Sequence, residues 1–166
     1  ALMILEPSTQ SDGRELMTLR QKLIDDGFKI WAPCPHQGKC PLLTLSKTDW
    51  CHDRIHFAMP PWFEAIEHHL PMKNQTLTMS YLLARRSLVP TPSPQKARTV
   101  GDRLKEKGKD RQMVCRGEER EFLAWLHKSG VDQEIPRGVL IDIPEDAPKI
   151  SNEIRLRRIH GYGSND

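Results

Sequence analysis

The sequence predicts an α/β fold with a β-rich C-terminal part, and three observations support this. Residues 1–33 have the pattern of a strand, a helix and a second strand, and several short strand patterns follow in the second half. The composition is 37% hydrophobic and 28% charged, which is ordinary for a globular protein with one sizeable core. No run of about 18 apolar residues occurs, so we expect no membrane-spanning helix.

The first 33 residues predict a strand–helix–strand unit. Ala1 to Leu5 is a continuous apolar run, which is typical of a strand buried on both faces. After a turn at residues 8–13, apolar side chains at positions 16, 19, 23 and 24 indicate a helix over 15–26 that ends at Gly27. A second apolar run at 28–33 completes the unit, whose strands we expect to be parallel. Because a protein seldom starts inside a buried strand, we also expect this chain to be the C-terminal part of a longer one.

Four cysteines are the strongest functional signal in the sequence. Cys34, Cys40 and Cys51 lie on the predicted loop 34–59, directly after the second strand, whereas Cys115 is far along the chain. Strand ends are where α/β folds bind ligands, and closely spaced loop cysteines indicate a metal or iron–sulfur site. Disulfides and unpaired thiols are the alternatives, but neither a signal peptide nor the cysteine density of a disulfide scaffold is present.

The cysteine spacing leaves the kind of metal open. Zinc sites usually contain cysteine pairs two residues apart, and no such pair occurs here. Cys-Pro dipeptides, which occur at Cys34 and Cys40, are common beside iron–sulfur ligands, so the residues weaken the case for zinc without excluding it. His36, His52 and His56 are alternative ligands, but we expect a set made only of cysteines.

The rest of the chain predicts a helix, a linker and several strands. Pro60-Pro61 can open a helix that reaches His69 and buries Phe63, Ile66 and Leu70. A strand is expected at 76–83, and the Pro-rich segment 88–97 is expected to be a linker. Further strands are expected at 111–116, 121–127, 138–143 and near 154–159, while the basic segment 98–111 is assigned no regular structure. We expect residues 98–166 to pack on residues 1–87 through Cys115, as one domain.

Positive charge is concentrated in one segment. Between Arg85 and Arg120 the sequence has 11 Lys+Arg and 5 Asp+Glu, although the whole chain carries only +3. This asymmetry favours a polyanionic partner, of which RNA is the commonest inside cells, although a solvated charged loop would have the same composition. The predicted RNA-facing patch consists of Arg85, Arg86, Arg98, Arg103, Lys105, Lys107, Lys109 and Arg111.

Several short motifs, taken in order, together resemble one known family. They are Ile4-Leu5-Glu6-Pro7, a helix containing Arg20, Ala32-Pro33-Cys34-Pro35-His36, Cys40-Pro41-Leu42, Asp49-Trp50-Cys51-His52, Tyr81-Leu82-Leu83-Ala84-Arg85-Arg86, and Lys107-Gly108 before Cys115. Up to about residue 120 the chain is similar to the methyltransferase-like family of small ribosomal subunit assembly factors, which has mitochondrial members and bacterial relatives.

The resemblance implies the C-terminal half of a Rossmann-like class I methyltransferase sheet that uses S-adenosylmethionine. It also implies a four-iron [4Fe–4S] cluster on the four cysteines, and a role on small-subunit ribosomal RNA in the mitochondrial matrix or the bacterial cytoplasm. Glu6 and Pro7 would lie at a strand end facing the transferred methyl group. The Gly-rich cofactor loop of such a fold is absent from this sequence, since Gly161-Tyr162-Gly163 does not lie between a strand and a helix. The chain departs from the family at Ser8, usually Gly, and at Asp53, usually Phe.

Three functional hypotheses remain from the sequence. The full protein is an RNA methyltransferase, or it is a non-catalytic assembly factor built on a methyltransferase scaffold, or it is a zinc-stabilised RNA-binding module. No residue can be assigned as catalytic, and the sequence predicts no particular oligomeric state.

Overall fold

The computed structural model describes residues 1–71, 76–87, 95–129 and 135–157. They form one sheet of four strands and one of six, so the prediction of a mixed α/β structure with a β-rich C-terminal part is confirmed. Its assignment to a methyltransferase sheet and the proposed domain limits stay predictions. Most of the predicted linker and the motif at 161–163 lie outside the described residues. None of the described helices is long and apolar enough to cross a membrane.

The first sheet contains the predicted strand–helix–strand unit. It consists of β1 (Leu2–Pro7), α1 (Gln10–Asp25) and β2 (Lys29–Ala32), followed by β3 (Asp53–His56) and β4 (Thr76–Arg85). β1, β2 and β3 all pair antiparallel with β4, and β4 lies between β1 and β2. β1 and β2 are therefore parallel to each other, as expected, but they are not neighbours. The expectation that β1 is buried on both faces is wrong, since Met3 is 64% and Leu5 53% exposed.

Helix α1 begins earlier than predicted because Thr9 caps it. The Thr9 hydroxyl accepts a hydrogen bond from the backbone N–H of Asp12 at 3.2 Å, so the residues predicted as a turn at 8–13 already enter the helix. Gly27 ends it as expected, with a positive φ of 83° that favours glycine. One face of α1 packs Leu16 and Leu23 against the sheet.

The segment after β2 is more regular than predicted, and the helix after it is less buried. A short helix α2 (Pro41–Thr44) and strand β3 lie within the predicted loop 34–59. Helix α3 (Pro61–Glu67) follows Pro60 as predicted. The predicted burial of its apolar face is wrong, since Ile66 is 52% and Leu70 43% exposed and Phe63 is only partly buried.

The second sheet is made by the C-terminal part of the chain. Its strands are β5 (Lys96–Glu106), β6 (Lys109–Cys115), β7 (Glu121–Leu126), β8 (Leu140–Asp142), β9 (Lys149–Ile150) and β10 (Glu153–Arg155), in the order β8-β5-β6-β7-β10-β9. The strands predicted near 111–116, 121–127 and 138–143 are confirmed. The basic segment 98–111, predicted to be irregular, is instead the hairpin of β5 and β6.

Three groups of buried side chains hold these elements together. One fills the second sheet around Leu123 and Trp125, and another lies between α1 and the first sheet. The third lies between the two sheets and contains Met17, Val100 and Cys115. The junction of the sheets is therefore a packed core in its own right.

Leu123→Ala should lower the free energy of unfolding by about 2–5 kcal/mol, because it leaves a cavity in the core of the second sheet. The Leu123 side chain is fully buried there. Urea denaturation followed by circular dichroism measures the change. The control is Leu104→Ala in β5, where the side chain is 42% exposed, and which should cost less than about 0.5 kcal/mol. Equal losses in the two variants would contradict this assignment of the core.

Candidate metal centre

The four cysteines line one cavity at the junction of the two sheets. Cys34 follows β2, Cys40 precedes α2, Cys51 precedes β3, and Cys115 is the last residue of β6. The cavity has a volume of about 30 Å³. All four cysteines are free thiols, so the disulfide alternative is not formed. The fold thus brings the distant Cys115 to the three loop cysteines.

The cysteines face this cavity from separate elements. Among the residues that the structure describes, no group of three or more His, Cys, Asp or Glu side chains is arranged to hold a metal ion. The thiols therefore line the cavity, but they do not form a close-set group of metal ligands. His52 and His56 do not line it, and His36 contacts one of its sulfurs from outside.

Arg20 is buried beside the first cysteine. Its Nε donates to the Sγ of Cys34 at 3.2 Å, and its two terminal nitrogens donate to the carbonyls of Gly38 at 2.7 Å and His36 at 2.9 Å. Only 2% of Arg20 is exposed. The guanidinium therefore fixes the course of the cysteine loop while directing positive charge at a sulfur.

Arg98 lies beside Cys51 much as Arg20 lies beside Cys34. It forms a buried ion pair with Asp53 at the start of β3, and its Nη1 lies 3.9 Å from the Sγ of Cys51. Burial opposes the charge of Arg98, but the Cys51 sulfur and the Asp53 carboxylate raise its pKa above the ordinary value. Gly138 makes room for this pair, since a Cβ there would lie 2.9 Å from the Asp53 carboxyl carbon.

The other two sulfurs also face N–H donors. The Nε2 of His36 lies 3.3 Å from the Sγ of Cys115, and burial followed by the nearby Arg20 lowers the pKa of His36 to about 4, so its imidazole is neutral. At Cys40, backbone N–H groups at the start of α2 approach the sulfur and partly oppose the rise in its pKa. A nitrogen therefore lies next to each of the four sulfurs, and that of His36 donates when the ring carries its proton on Nε2.

The thiols are electrostatically coupled. Burial raises the pKa of Cys40, Cys51 and Cys115, that of Cys51 to about 12, and the neighbouring sulfurs raise these values further. Without another cation in the cavity the three thiols stay protonated at neutral pH. Thiolate formation here therefore requires positive charge beyond Arg20 and Arg98.

The structure divides the predicted RNA-facing patch. Arg98 is 3% exposed and faces the cysteine cavity, so its assignment to that surface patch is corrected. Arg103 pairs with Asp110 across the β5–β6 hairpin, and Lys109 and Arg111 both pair with Glu106 and Glu153. Lys105 and Lys107 are exposed near the tip of the hairpin.

Arg85 and Arg86 lie away from that hairpin, at the end of β4. Their guanidinium groups stack on the rings of Trp31 and Phe28 at 4.4 and 4.6 Å. Glu6 and Pro7 are exposed at the end of β1, and Glu6 borders an open groove along α1. Their predicted role at a methyl-donor site stays a prediction.

Sequence reasoning gave Arg20, Asp53 and His36 no part in supporting the sulfurs. One signal was present, because Arg20 falls between Leu16 and Leu23 on the apolar stripe of α1, where a charged side chain is buried only with partners. Asp53 had no such signal, since its partner comes from a different sheet.

Asp53→Asn should destabilise the protein by about 3–5 kcal/mol, because it leaves the buried Arg98 charge without its carboxylate. Urea denaturation provides the measurement. The matched control is Asp142→Asn, which breaks the Lys96–Asp142 ion pair, whose side chains are 49% and 54% exposed. That change should cost less than about 1 kcal/mol. The assignment fails if the Asp53 and Asp142 variants unfold at the same urea concentration.

Comparison with known proteins identifies the family of the chain. No curated protein matched the sequence. The family described as mitochondrial small ribosomal subunit Rsm22 matches residues 1–128 of the 166 in the chain. The matched region includes the first sheet, β5 to β7 and all four cysteines. The family resemblance carried by the cysteine motifs is thereby confirmed, and the chain belongs to the Rsm22 family.

Proposed function

We propose that this protein acts in the assembly of the small ribosomal subunit and that its four cysteines hold a structural [4Fe–4S] cluster. The description of the family supports the first part, since it names the small ribosomal subunit. The observation that carries the second part is the meeting of Cys34, Cys40, Cys51 and Cys115 at one cavity.

The residues around the cavity fit such a cluster. Four thiolates are the usual ligand set of a four-iron cluster, and hydrogen bonds to the sulfurs tune and stabilise it. Arg20, Arg98 and His36 are the side chains in position to donate these bonds. Four thiolates carry more negative charge than the cluster core carries positive charge, and the two buried guanidinium groups would offset part of the excess.

A cluster also suits the spacing of the cysteines better than a zinc ion does. Four cysteines are the usual ligand set of a four-iron cluster, and the short cysteine pairs typical of zinc sites do not occur in this sequence. When bound, the cluster supplies the positive charge that keeps the sulfurs deprotonated. The protein side chains Leu42 and Val100 limit the access of water to the same cavity.

The proposed role of the cluster is structural. Three ligands come from the first part of the chain, and the fourth comes from β6 of the second sheet. A bound cluster would link the two sheets across their shared core, so its binding would also stabilise the fold.

Ribosomal RNA of the small subunit is the proposed partner, in the mitochondrial matrix or the bacterial cytoplasm. After Arg98 is assigned to the interior, Lys105 and Lys107 remain as exposed cations of the predicted patch, together with the aromatic-stacked Arg85 and Arg86. Arg103, Lys109 and Arg111 are partly neutralised by carboxylates. The proposed RNA contact is therefore smaller than the charge of the sequence indicated.

We favour a non-catalytic role over RNA methylation, on a scaffold derived from a methyltransferase. The exposed Glu6 and Pro7 at the end of β1 are the residues of this chain that would lie nearest the methyl donor if the scaffold still binds S-adenosylmethionine. The groove that Glu6 borders is also lined by Asp12 and Glu15 of α1, but it is open to solvent and does not enclose a substrate.

Cys115→Ser should abolish most cluster binding, although Cys115 is distant in sequence from the other ligands. The wild-type protein, purified without oxygen, should be brown and contain iron and acid-labile sulfide in equal amounts. Metal analysis and visible absorbance measure both quantities. The control is Val100→Ala, which changes the lining of the same cavity without removing a thiol and should keep its iron.

Two results would overturn the cluster proposal. A colourless wild-type protein that contains zinc would favour the zinc-stabilised RNA-binding module. Full iron and sulfide content in the Cys115→Ser protein would show that the fourth ligand is assigned wrongly.

The full-length protein should bind S-adenosylmethionine weakly or not at all and transfer no methyl group to small-subunit RNA. Calorimetry measures the binding, and a tritiated methyl donor measures the transfer. Glu6→Ala serves as the variant at the proposed donor site. Turnover by the wild type that is lost in this variant would establish the enzyme hypothesis instead.

A further inference from the structure

A basic cleft lies beside the cysteine cavity, between β3 and β5. It has a volume of about 380 Å³. Its lining among the described residues includes the cationic side chains Arg54, Arg103, Lys105 and Arg137, with His56 and a single carboxylate, Asp102. Arg54, His56 and Arg137 were not part of the predicted patch, and they come from segments distant in sequence from β5.

Asp102 leaves much of this positive charge uncompensated. Its side chain is 52% exposed and lies 3.6 Å from Arg54 and 3.5 Å from Arg137, which makes both ion pairs weak. Arg103 is already paired with Asp110. Among the described lining residues, Asp102 is therefore the single carboxylate that faces Arg54, Arg137 and Lys105, so this part of the cleft has an excess of positive charge and attracts anions.

Arg137 is the fixed element of the cleft. Only 10% of its side chain is exposed, and it donates to the carbonyl of Val100 at 2.6 Å and to the carbonyl of His52 at 3.4 Å. Burial lowers the pKa of Arg137, and the Asp102 carboxylate and the Cys51 sulfur oppose this only in part. A buried arginine held by backbone carbonyls and directed at a cleft is pre-organised for an anion.

A second pocket with a different lining adjoins the cleft. It has a volume of about 360 Å³ and shares Arg54, Asp102 and Arg137 with the cleft. Its other walls include Trp50 and His52, whose rings stack with centroids 5.1 Å apart. An aromatic pair next to a group of cations is the combination that binds a base and its neighbouring phosphate.

We propose that the cleft and the adjoining aromatic pocket bind a single-stranded RNA segment, with phosphates in the cleft and a base against Trp50 and His52. The choice of RNA rests on the proposed function, whereas the two-part shape of the site rests on the structure alone. An acidic peptide would use the cations but would leave the aromatic pocket empty. The site overlaps the predicted RNA-facing patch at Arg103 and Lys105, but its other residues were not part of that patch.

The test compares two double variants with the same change in charge. Arg54→Glu with Lys105→Glu alters the cleft, whereas Lys22→Glu with Lys47→Glu alters exposed lysines on α1 and after α2. Fluorescence anisotropy measures binding of a labelled single-stranded RNA of about 10 nucleotides, a length that fits sites of this kind. The full chain is used, and iron, sulfide and unfolding by urea are measured for every variant.

The cleft variant should bind this RNA at least about tenfold more weakly than wild type and show a smaller dependence of affinity on salt, by about one or two phosphate contacts. The Lys22/Lys47 control should stay within about twofold of wild type. A polyglutamate peptide of equal length should bind the wild type at least about tenfold more weakly than the RNA does.

Three results would overturn the proposal. They are unchanged RNA binding by the cleft variant, equal losses in the two double variants, and equal affinity of the wild type for RNA and polyglutamate. Co-sedimentation with small ribosomal subunits, measured on the same proteins, tests the proposed function separately. A wild type that fails to co-sediment contradicts that function, while the anisotropy data still decide whether the cleft binds single strands.

Discussion

Two guanidinium groups buried at the junction of the sheets are the constraint on which the rest of the structure depends. A buried charge is tolerated only with close partners, and Arg20 and Arg98 find theirs in the cysteine loop and in β3. Arg20 holds the loop carbonyls against α1, and Arg98 ties β5 to the start of β3. Both groups also point at cysteine sulfurs, so the interactions that join the two sheets are the ones that shape the cavity.

The basic composition of the C-terminal part has two consequences in this fold. On the second sheet, acidic and basic side chains alternate across strands, as in the group formed by Glu153 with Lys109, Arg111 and Arg155. These pairs neutralise charge along the strands. At the boundary between the sheets, Arg54 and Arg137 face Asp102, the single carboxylate among the described residues of the cleft, which is half exposed. The proposed recognition of a polyanion therefore depends on where charges are incompletely compensated and not on the total number of basic residues.

The parts of this fold that local patterns describe could be predicted from sequence. The apolar runs around α1 gave β1 and β2, and the clustered Cys34, Cys40 and Cys51 indicated one site. The antiparallel insertion of β4 between β1 and β2 could not be predicted, because pairing between distant strands leaves no local periodicity.

Burial was harder to predict, both for a charged residue that is buried and for an apolar residue that is exposed. Arg98 belongs to a segment in which four consecutive residues of β5 are buried, so neither face of that strand is marked by alternation. Ile66 on α3 has helical spacing but remains exposed, since spacing identifies a face and not what covers it.

The cysteine loop has a further consequence for how the protein matures. The sulfurs of Cys34, Cys40 and Cys51 leave the ribosome before β6, which carries the fourth sulfur and pairs with β5 in the second sheet. During synthesis the cavity consequently closes only after β6 has followed the cysteine loop out of the ribosome, so the three loop thiols are exposed before their partner arrives.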